Sequence, residues 1–367
     1  MKPYRFLISG GGTGGHIFPA VSIANALKER FPDCQILFVG AEGRMEMERV
    51  PKAGYEIVGL PVRGFYREKM WRNVGVVFDL LKSMVKVRSI IGNFQPDVAI
   101  GVGGYASGAA MRVAAMKKVP LLLQEQNGFA GVTNKMLAPY ANTICVAYEG
   151  MERFFDKEKI VLTGNPVRQN LQNGTAEEAY KHFGFSPDRK TLLVIGGSLG
   201  AKTVNDAILT HIQDVVEAND IQLLWQTGKG YIDEMRQKTS HINDPRIVVT
   251  DFIDRMDLAY AMADVVVSRA GASSISELCL LGKASILVPS PNVAEDHQTH
   301  NAMALVNHDA ALMVKDVDAV ETLVTTALNL LHNDNRMQQL KQQITTLAQR
   351  DSATRIADEV VKLLPKE

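Results

Sequence analysis

The sequence has little cysteine, no net charge and no long apolar run. Its three cysteines, Cys34, Cys145 and Cys279, are odd in number and far apart, which excludes a disulfide framework and a CxxC metal site and predicts reduced core residues in a cytosolic protein. The formal net charge is 0 and the pI about 7.1, so overall charge predicts neither nucleic-acid binding nor an acidic partner. The first residues do not resemble a secretory signal, and no apolar run reaches the ~18 residues of a membrane span.

Glycine, by contrast, is concentrated in turns that follow short apolar segments. Residues 4–9 predict a buried strand, five of the next six residues are glycine, and a helix is predicted from there to about Arg30. Glycine lets the backbone approach a bulky group, and the N–H groups that begin a helix attract anions, so this turn predicts a phosphate site. It also satisfies the G-x-G-x-x-G pattern of dinucleotide-binding folds. A similar turn at 196–201 indicates that the pattern of strand, glycine turn and helix occurs twice, once in each half of the chain.

Short apolar segments alternate with helical patterns, which predicts an α/β fold with a parallel sheet in each half. A length of 367 residues suits two domains of about 180. Glycine, proline and polar sequence from Gly164 onward indicate the boundary. The predicted domains are therefore 1–164 and 165–349, with a C-terminal helix at about 350–367 that packs back on the first. Phosphate-type turns in both halves predict a nucleotide held between them.

Residues 62–91 combine basic side chains with an apolar stripe. Seven Lys or Arg outnumber two acidic residues, and apolar residues recur at the helical positions 74, 77, 78, 81 and 85. Two interpretations are open here. The segment is either a core helix with a solvated basic face or a surface that meets anionic lipid.

Candidate chemical groups in the first half follow the predicted strands. Four polar side chains, residues 124–127, come directly after an apolar strand, and ligands bind beyond the carboxyl ends of parallel strands. His16 is either a polar residue in the first helical turn or a base or phosphate contact beside the acceptor sugar, and Glu125 has the same ambiguity. The glycine-rich turn at 101–108 indicates either close helix–strand packing or another phosphate-facing turn.

In the second half, Ser198 and the N–H groups around it suit a diphosphate. Glu277 would be repelled by phosphate, so in a nucleotide site it would accept hydrogen bonds from ribose. Alternatively, Ser274 and Glu277 form a capping box at a helix start. The patterns at 297–300 (H-x-x-H) and 316–318 (D-x-D) resemble metal sites. The histidines lack a third ligand and the aspartates are interpreted as helix caps, so metal-free chemistry is predicted.

Taken in order, the motifs resemble the MurG family, which belongs to glycosyltransferase family 28. The matching segments are 11–16, 101–108, 124–128, 164–168, 196–201 and 269–277, so the similarity covers nearly the whole chain. It implies a GT-B fold and an inverting, metal-independent transfer of GlcNAc from UDP-GlcNAc to the C4 hydroxyl of MurNAc in lipid I, giving lipid II without a cofactor.

The resemblance further implies a peripheral protein on the cytoplasmic face of the bacterial plasma membrane. Its partners would be an anionic membrane surface and other cell-wall and division proteins, with no nucleic acid. Its biological roles would be peptidoglycan synthesis, cell shape and cell division.

Site residues are also implied by position in the resemblance. His16 or Glu125 would be the base, and Gly103, Gly104 and Tyr105 would meet the acceptor pyrophosphate. UDP-GlcNAc would contact Thr13, Gly14, Gly15, Asn127, Arg168, Ser198, Ile253, Ala272, Glu277 and Gln298. Among these, Asn127 and Gln298 would hold the GlcNAc, Arg168 and Ser198 the diphosphate, Ile253 the uracil through its backbone, and Glu277 the ribose. Thr299 stands where many members have a second glutamine, which puts one sugar contact in question.

Three other hypotheses compete with this transferase. A NAD-dependent dehydrogenase would explain the first glycine turn but neither the second nor residues 124–127. A UDP-GlcNAc 2-epimerase would share the architecture and the donor. A non-catalytic scaffold at the division site would bind membrane and release no UDP.

Overall fold

The computed structural model describes residues 2–62, 73–167, 169–197, 200–293 and 296–365. The chain divides into two compact units, which we call unit 1 (Met1–Val167 with Arg350–Glu367) and unit 2 (Arg168–Gln349). Two predicted diphosphate ligands, Arg168 and Ser198, lie outside the described residues, as does the basic and aromatic segment 63–72.

Unit 1 contains a seven-stranded parallel sheet in the order β3-β2-β1-β4-β5-β6-β7. Its strands are β1 (Arg5–Ser9), β2 (Gln35–Ala41), β3 (Glu56–Leu60), β4 (Val98–Gly101), β5 (Leu121–Glu125), β6 (Thr143–Val146) and β7 (Ile160–Leu162). Its helices are α1 (Gly14–Arg30), α2 (Glu46–Lys52), α3 (Asn73–Phe94), α4 (Tyr105–Met116), α5 (Val132–Leu137) and, from the end of the chain, α15 (Ser352–Val361).

Both faces of this sheet are covered, because side chains alternate along each strand. Leu7 of β1 packs into a cluster with residues of α3, α4 and α5. Its neighbours Phe6 and Ile8 point the other way, into a cluster built with α1 and with Ile356 and Val360 of α15. Strands buried on both faces are continuous apolar runs, which is why the sequence pattern found them.

Unit 2 contains a six-stranded parallel sheet in the order β10-β9-β8-β11-β12-β13. Its strands are β8 (Lys190–Ile195), β9 (Ile221–Gln226), β10 (Ile247–Thr250), β11 (Val265–Ser268), β12 (Ala284–Leu287) and β13 (Leu312–Met313). Its helices are α6 (Ala176–Phe183), α7 (Lys202–Thr210), α8 (Ile212–Glu217), α9 (Ile232–Lys238), α10 (Met256–Met262), α11 (Ala272–Leu281), α12 (His297–Val306), α13 (Ala319–Leu331) and α14 (Asp334–Thr346). The predicted α/β class with two parallel sheets is confirmed.

Helix α3 turns part of its apolar stripe outward. Phe78, Leu81 and Val85 are 61%, 55% and 71% exposed, whereas Val87 and Ile91 are buried against the sheet. The interpretation of this stripe as core is therefore wrong for the three exposed residues. No helix in the described part of the chain combines the length and apolarity that a membrane crossing requires.

The three cysteines are buried, unpaired thiols, as the sequence predicts. Burial raises the pKa of both Cys145 and Cys279 to about 12, and it raises the pKa of Cys34 as well. A thiol that stays protonated is a poor nucleophile and a poor metal ligand, so these side chains act as small core residues.

Candidate functional site

The first glycine turn connects β1 to α1, as predicted. Thr13 caps the helix from an extended conformation, and its carbonyl accepts the N–H groups of His16 and Ile17 at 3.1 and 3.2 Å. The N–H groups that open a helix have no acceptor within it and form its positive end. Gly14 and Gly15 begin this helix, which makes the turn suitable for an anion.

The same turn is supported by a buried carboxylate that sequence analysis missed. Glu46, the first residue of α2, is fully buried. Its Oε2 accepts the N–H of Gly12 at 2.9 Å, and its Oε1 accepts the N–H of Ala41 at 3.0 Å. A Cβ atom on Gly11 would lie 2.1 Å from Oε1, so a larger residue there would displace this hydrogen-bonded carboxylate. Glu46 thus joins the end of β2 to the turn after β1.

The turn after β4 packs directly against the first one. A Cβ atom on Gly104 would lie 2.5 Å from the carbonyl oxygen of Gly11, and one on Gly103 would lie 2.9 Å from Cε1 of His16. Both glycines also have positive φ, 93° and 89°. The predicted acceptor residues Gly103 and Gly104 therefore lie directly against His16 and the first glycine turn, and Tyr105 follows as the exposed first residue of α4.

His16 is joined to the polar segment after β5. Its Nδ1 lies 2.9 Å from Oε1 of Gln126, a buried side chain. In the sequence, Gln126 is one of four candidate polar residues and has no predicted role of its own. The structure shows that it is a hydrogen-bond partner of the imidazole.

Glu125 has a different environment from His16. Its carboxylate is buried and accepts hydrogen bonds from the N–H of Asn127 at 3.1 Å, the N–H of Gly131 at 3.0 Å and Nδ2 of Asn134 at 2.9 Å. Asn127 adds a longer side-chain bond of 3.3 Å to the same carboxylate. These bonds hold the loop that presents Asn127.

The second glycine turn, between β8 and α7, is built from backbone contacts. Gly197 and Gly200 have positive φ, and Gln226 donates from Nε2 to the carbonyl of Gly197 at 3.2 Å. A Cβ atom on Gly200 would lie 2.2 Å from the carbonyl oxygen of Thr227. Glycine is therefore required here for close approach of two loops, while Ser198 lies outside the described residues.

Glu277 lies in the middle of α11 and is buried. Its Oε2 accepts the hydroxyl proton of Tyr260 at 3.0 Å. Helix α11 begins at Ala272 with Gly271 as its cap, two residues before Ser274. The capping-box interpretation is therefore wrong, and the carboxylate remains a candidate ligand for hydroxyl groups.

The other candidates of unit 2 follow carboxyl ends of strands in the same parallel sheet. Ile253 is buried in the loop after β10, and Ala272 begins the helix after β11. Gln298, in the first turn of α12 after β12, accepts the N–H of Ser290 through Oε1 at 2.9 Å. Thr299 donates from Oγ1 to Asp296 at 2.7 Å. Parallel strands end at one edge, so these residues share an edge of the sheet.

The D-x-D pattern is explained by an ion pair. Asp316 accepts from the guanidinium of Arg269 and from Oγ1 of Thr203, the latter at 3.0 Å. Asp318 precedes α13 but makes no side-chain bond to its first turn, so the predicted capping role is wrong. In the described residues, no group of three or more His, Cys, Asp or Glu is placed to hold a metal ion.

Comparison with known proteins gives matches along the whole chain. Residues 6–146 match the glycosyltransferase family 28 N-terminal domain, and residues 191–359 match the C-terminal domain of the same family. A protein of Parabacteroides distasonis is 58% identical over 369 residues, with 100% of both chains covered. Its name is UDP-N-acetylglucosamine--N-acetylmuramyl-(pentapeptide) pyrophosphoryl-undecaprenol N-acetylglucosamine transferase.

Two solved structures share the fold. MurG of Acinetobacter baumannii gives a TM-score of 0.78 at 24% identity and covers 98% of this chain and 100% of its own. A putative UDP-N-acetylglucosamine 2-epimerase from Listeria monocytogenes gives 0.73 at 13% identity, with 98% and 96% covered. With the two parallel sheets, these matches confirm the predicted GT-B fold.

Proposed function

The chain belongs to glycosyltransferase family 28, and from that premise we propose that it transfers GlcNAc from UDP-GlcNAc to the MurNAc of lipid I, releasing UDP and forming lipid II. The observation that carries the proposal is the full-length relationship to transferases of that name at 58% identity. The epimerase likeness is confined to the fold, because identity there is only 13%.

We assign the uridine and the diphosphate of the donor to unit 2 and the acceptor to unit 1. In unit 2, the buried carboxylate of Glu277 can accept hydrogen bonds from the ribose hydroxyls, and the backbone of Ile253 can bind the uracil. Gln298 and Asn127 are the proposed GlcNAc contacts, while Arg168 and Ser198 are proposed for the diphosphate. In unit 1, Thr13, Gly14 and Gly15 would line the donor and acceptor phosphate region, and Gly103, Gly104 and Tyr105 would meet the acceptor pyrophosphate.

The proposed reaction is a single displacement at the anomeric carbon. The C4 hydroxyl of MurNAc loses its proton to a base as its oxygen forms the new bond, and the electron pair of the breaking C1–O bond leaves with UDP. Attack from the face opposite UDP converts an α-linked donor into a β-linked product. Backbone N–H groups of the second glycine turn would stabilise the charge on the departing diphosphate.

His16 is the better candidate for that base. Glu125 is buried, and its carboxylate is occupied by the hydrogen bonds that hold the loop 127–131. Those bonds would have to break before the carboxylate could take the acceptor's proton, whereas histidine is the residue that enzymes use most often as a general base. His16 also lies beside the glycine turns that follow β1 and β4, where the acceptor is proposed to bind.

We further propose that unit 1 attaches to an anionic membrane through α3. The exposed side chains Phe78, Leu81 and Val85 form one apolar stripe, and the exposed cations Lys82 and Arg88 lie on the same helix. Apolar side chains can enter the headgroup region while Lys and Arg pair with lipid phosphate. This arrangement suits an enzyme whose acceptor is a lipid.

The first experiment is to measure UDP release from UDP-GlcNAc in EDTA, with and without a soluble lipid I analogue. We expect release that depends on the acceptor, together with a disaccharide product. Epimerised sugar without a disaccharide would instead establish the epimerase.

A second experiment tests the base. The variant His16→Ala is expected to lower kcat by about 100-fold or more while the Kd for UDP-GlcNAc changes little, because a general base contributes about 10²–10⁴ to the rate. Equal losses in turnover and donor affinity would make His16 a binding residue only.

A further inference from the structure

The orientation of the Gln126 amide is fixed by its surroundings. Its Nε2 donates to the carbonyl oxygens of Val102 at 2.9 Å and Gln124 at 3.2 Å, and it also contacts the side-chain oxygen of Gln124. These partners are all acceptors, so the NH2 group must face them. The carbonyl Oε1 therefore faces Nδ1 of His16, 2.9 Å away. The reverse orientation would set oxygen against oxygen.

We propose that Gln126 holds neutral His16 in the tautomer that carries its proton on Nδ1, which makes Nε2 the nitrogen that receives the acceptor's proton. Because Oε1 of an amide can only accept, the short contact requires N–H at Nδ1. The inference deepens the proposed role of His16 as a base and rests on it. Gln126 is thus a positioning residue that acts through His16.

The network behind Gln126 makes this constraint rigid. Gln124, Gln126 and Asn165 are all buried. Asn165 accepts from Nε2 of Gln124 at 3.0 Å and donates through Nδ2 to the backbone carbonyl of Gln126 at 2.9 Å. The backbone of Gly103 lies against the same edge of the ring, because a Cβ atom there would be 2.9 Å from Cε1 and 3.0 Å from Nδ1 of His16. The imidazole is therefore held both by a hydrogen bond and by contact with a glycine turn.

A neutral amide has an advantage over a carboxylate at this position. A carboxylate would also favour Nδ1–H, but its charge would stabilise the imidazolium and raise the pKa of His16. The base would then be protonated at neutral pH and could not accept a proton. Glutamine selects the same tautomer without that charge.

The tautomer is measured directly by 15N NMR of the full chain labelled at histidine. The His16 signals are identified by their loss in His16→Asn. In the wild type we expect a pyrrole-type Nδ1 and a pyridine-type Nε2 in the neutral ring. A pyridine-type Nδ1 would overturn the inference without any reference to activity.

Two variants test the function of the contact. In Gln126→Leu the acceptor is lost, so we expect Nδ1–H to lose its preference and kcat to fall at least tenfold with the donor Kd unchanged. In Gln126→Glu we expect Nδ1–H to persist, while the acidic limb of the kcat–pH profile moves upward by about one to three pH units. The other carboxylates of these turns, Glu46 and Glu125, are unchanged in both variants and affect both profiles alike.

Gln222→Leu is the matched control. Gln222 is a fully buried amide of unit 2 that accepts the N–H of Ser186 at 3.0 Å and donates to Oγ1 of Thr191 at 2.9 Å. Its loss should affect stability without changing the His16 signals or the pH profile.

The outcomes distinguish the proposed role of Gln126 in fixing the tautomer from the proposed role of His16 as the base. A changed tautomer with unchanged turnover in Gln126→Leu would support the role of Gln126 and refute His16 as the base. An unchanged tautomer in that variant would overturn the role of Gln126, whatever happens to turnover.

Discussion

Replacing Glu46 by Gln should loosen unit 1 specifically at its first glycine turn. The carboxylate is fully buried and accepts two backbone N–H groups, from Gly12 and Ala41. Glutamine has nearly the same volume, so no cavity forms. One of the two oxygens becomes an NH2 group, however, and that group then faces an N–H that needs an acceptor.

The expected loss follows from these two bonds. A hydrogen bond to a charged group contributes about 1.5–3 kcal/mol, and a buried donor left without an acceptor costs about 1–3 kcal/mol. We therefore expect Glu46→Gln to lower the local free energy of opening by about 2–3 kcal/mol. The first-turn N–H groups of α1 would then be less well placed for the acceptor, so kcat should fall as well.

Hydrogen exchange resolved by peptide measures this effect without assuming that the two units unfold together. Amides of β1 and β2 should lose protection, while those of β8 and β9 in unit 2 keep theirs. Glu48→Gln on the same helix is the control, because its side chain is exposed and it should change stability by no more than about 0.5 kcal/mol. Equal effects of the two variants on β1 and β2 would refute the argument.

Two further predictions concern a surface and a buried charge. Replacing both Phe78 and Leu81 by Glu should weaken binding to anionic phosphatidylglycerol vesicles by at least about tenfold, because apolar side chains no longer enter the headgroup region. Val317→Glu, at an 83% exposed apolar residue of unit 2, should leave binding unchanged, and equal losses would contradict the assignment of the membrane surface to α3. Burial and the charge of Lys341 lower the pKa of Lys283 to about 8, so holding this ammonium in the fold costs stability at pH 7. Lys283→Met should therefore unfold at a higher urea concentration than the wild type at pH 7. This difference should shrink as the pH rises from about 8 toward about 10.4, the pKa of a lysine in the unfolded chain. An equal difference at pH 7 and pH 10 would exclude this cause.

Much of the fold was predictable because its signals are local. A strand buried on both faces is a short apolar run, and a glycine turn before a helix is contiguous in sequence. The face that a helix turns toward the sheet was harder to predict. The helical spacing of α3 includes an outward stripe with Phe78, Leu81 and Val85 and an inward one with Val87 and Ile91, and periodicity alone does not say which stripe meets the sheet.

Local patterns also misled at two helix starts. Ser274 and Glu277 have the spacing of a capping box, but α11 already begins at Ala272, so both residues lie within the helix. Asp316 stands before a helix like a cap, yet its carboxylate pairs with Arg269, which follows a different strand. In each case a contact or boundary set by tertiary structure overrides the local preference.

The hydrogen bonds that support the candidate site could not be predicted, because they join segments that are distant in sequence. Glu46 reaches a glycine 34 positions earlier, and Gln126 reaches a histidine 110 positions earlier. In the sequence, Glu46 resembles any acidic residue in the first turn of a helix, and Gln126 is one polar residue among four. Only the positions of the strands give these side chains their partners.

Strand order also explains why one glycine is needed between the histidine and its partner. His16 follows β1 and Gln126 follows β5, but β4 lies between those strands in the sheet, pairing with both. The hydrogen bond must therefore pass over the turn that follows β4. At that point Gly103 leaves no side chain, and a Cβ atom there would lie only 2.9 Å from Cε1 of the imidazole. The glycine is required by the His16–Gln126 contact as well as by its own backbone conformation, so the catalytic geometry proposed here depends on three turns of the sheet together.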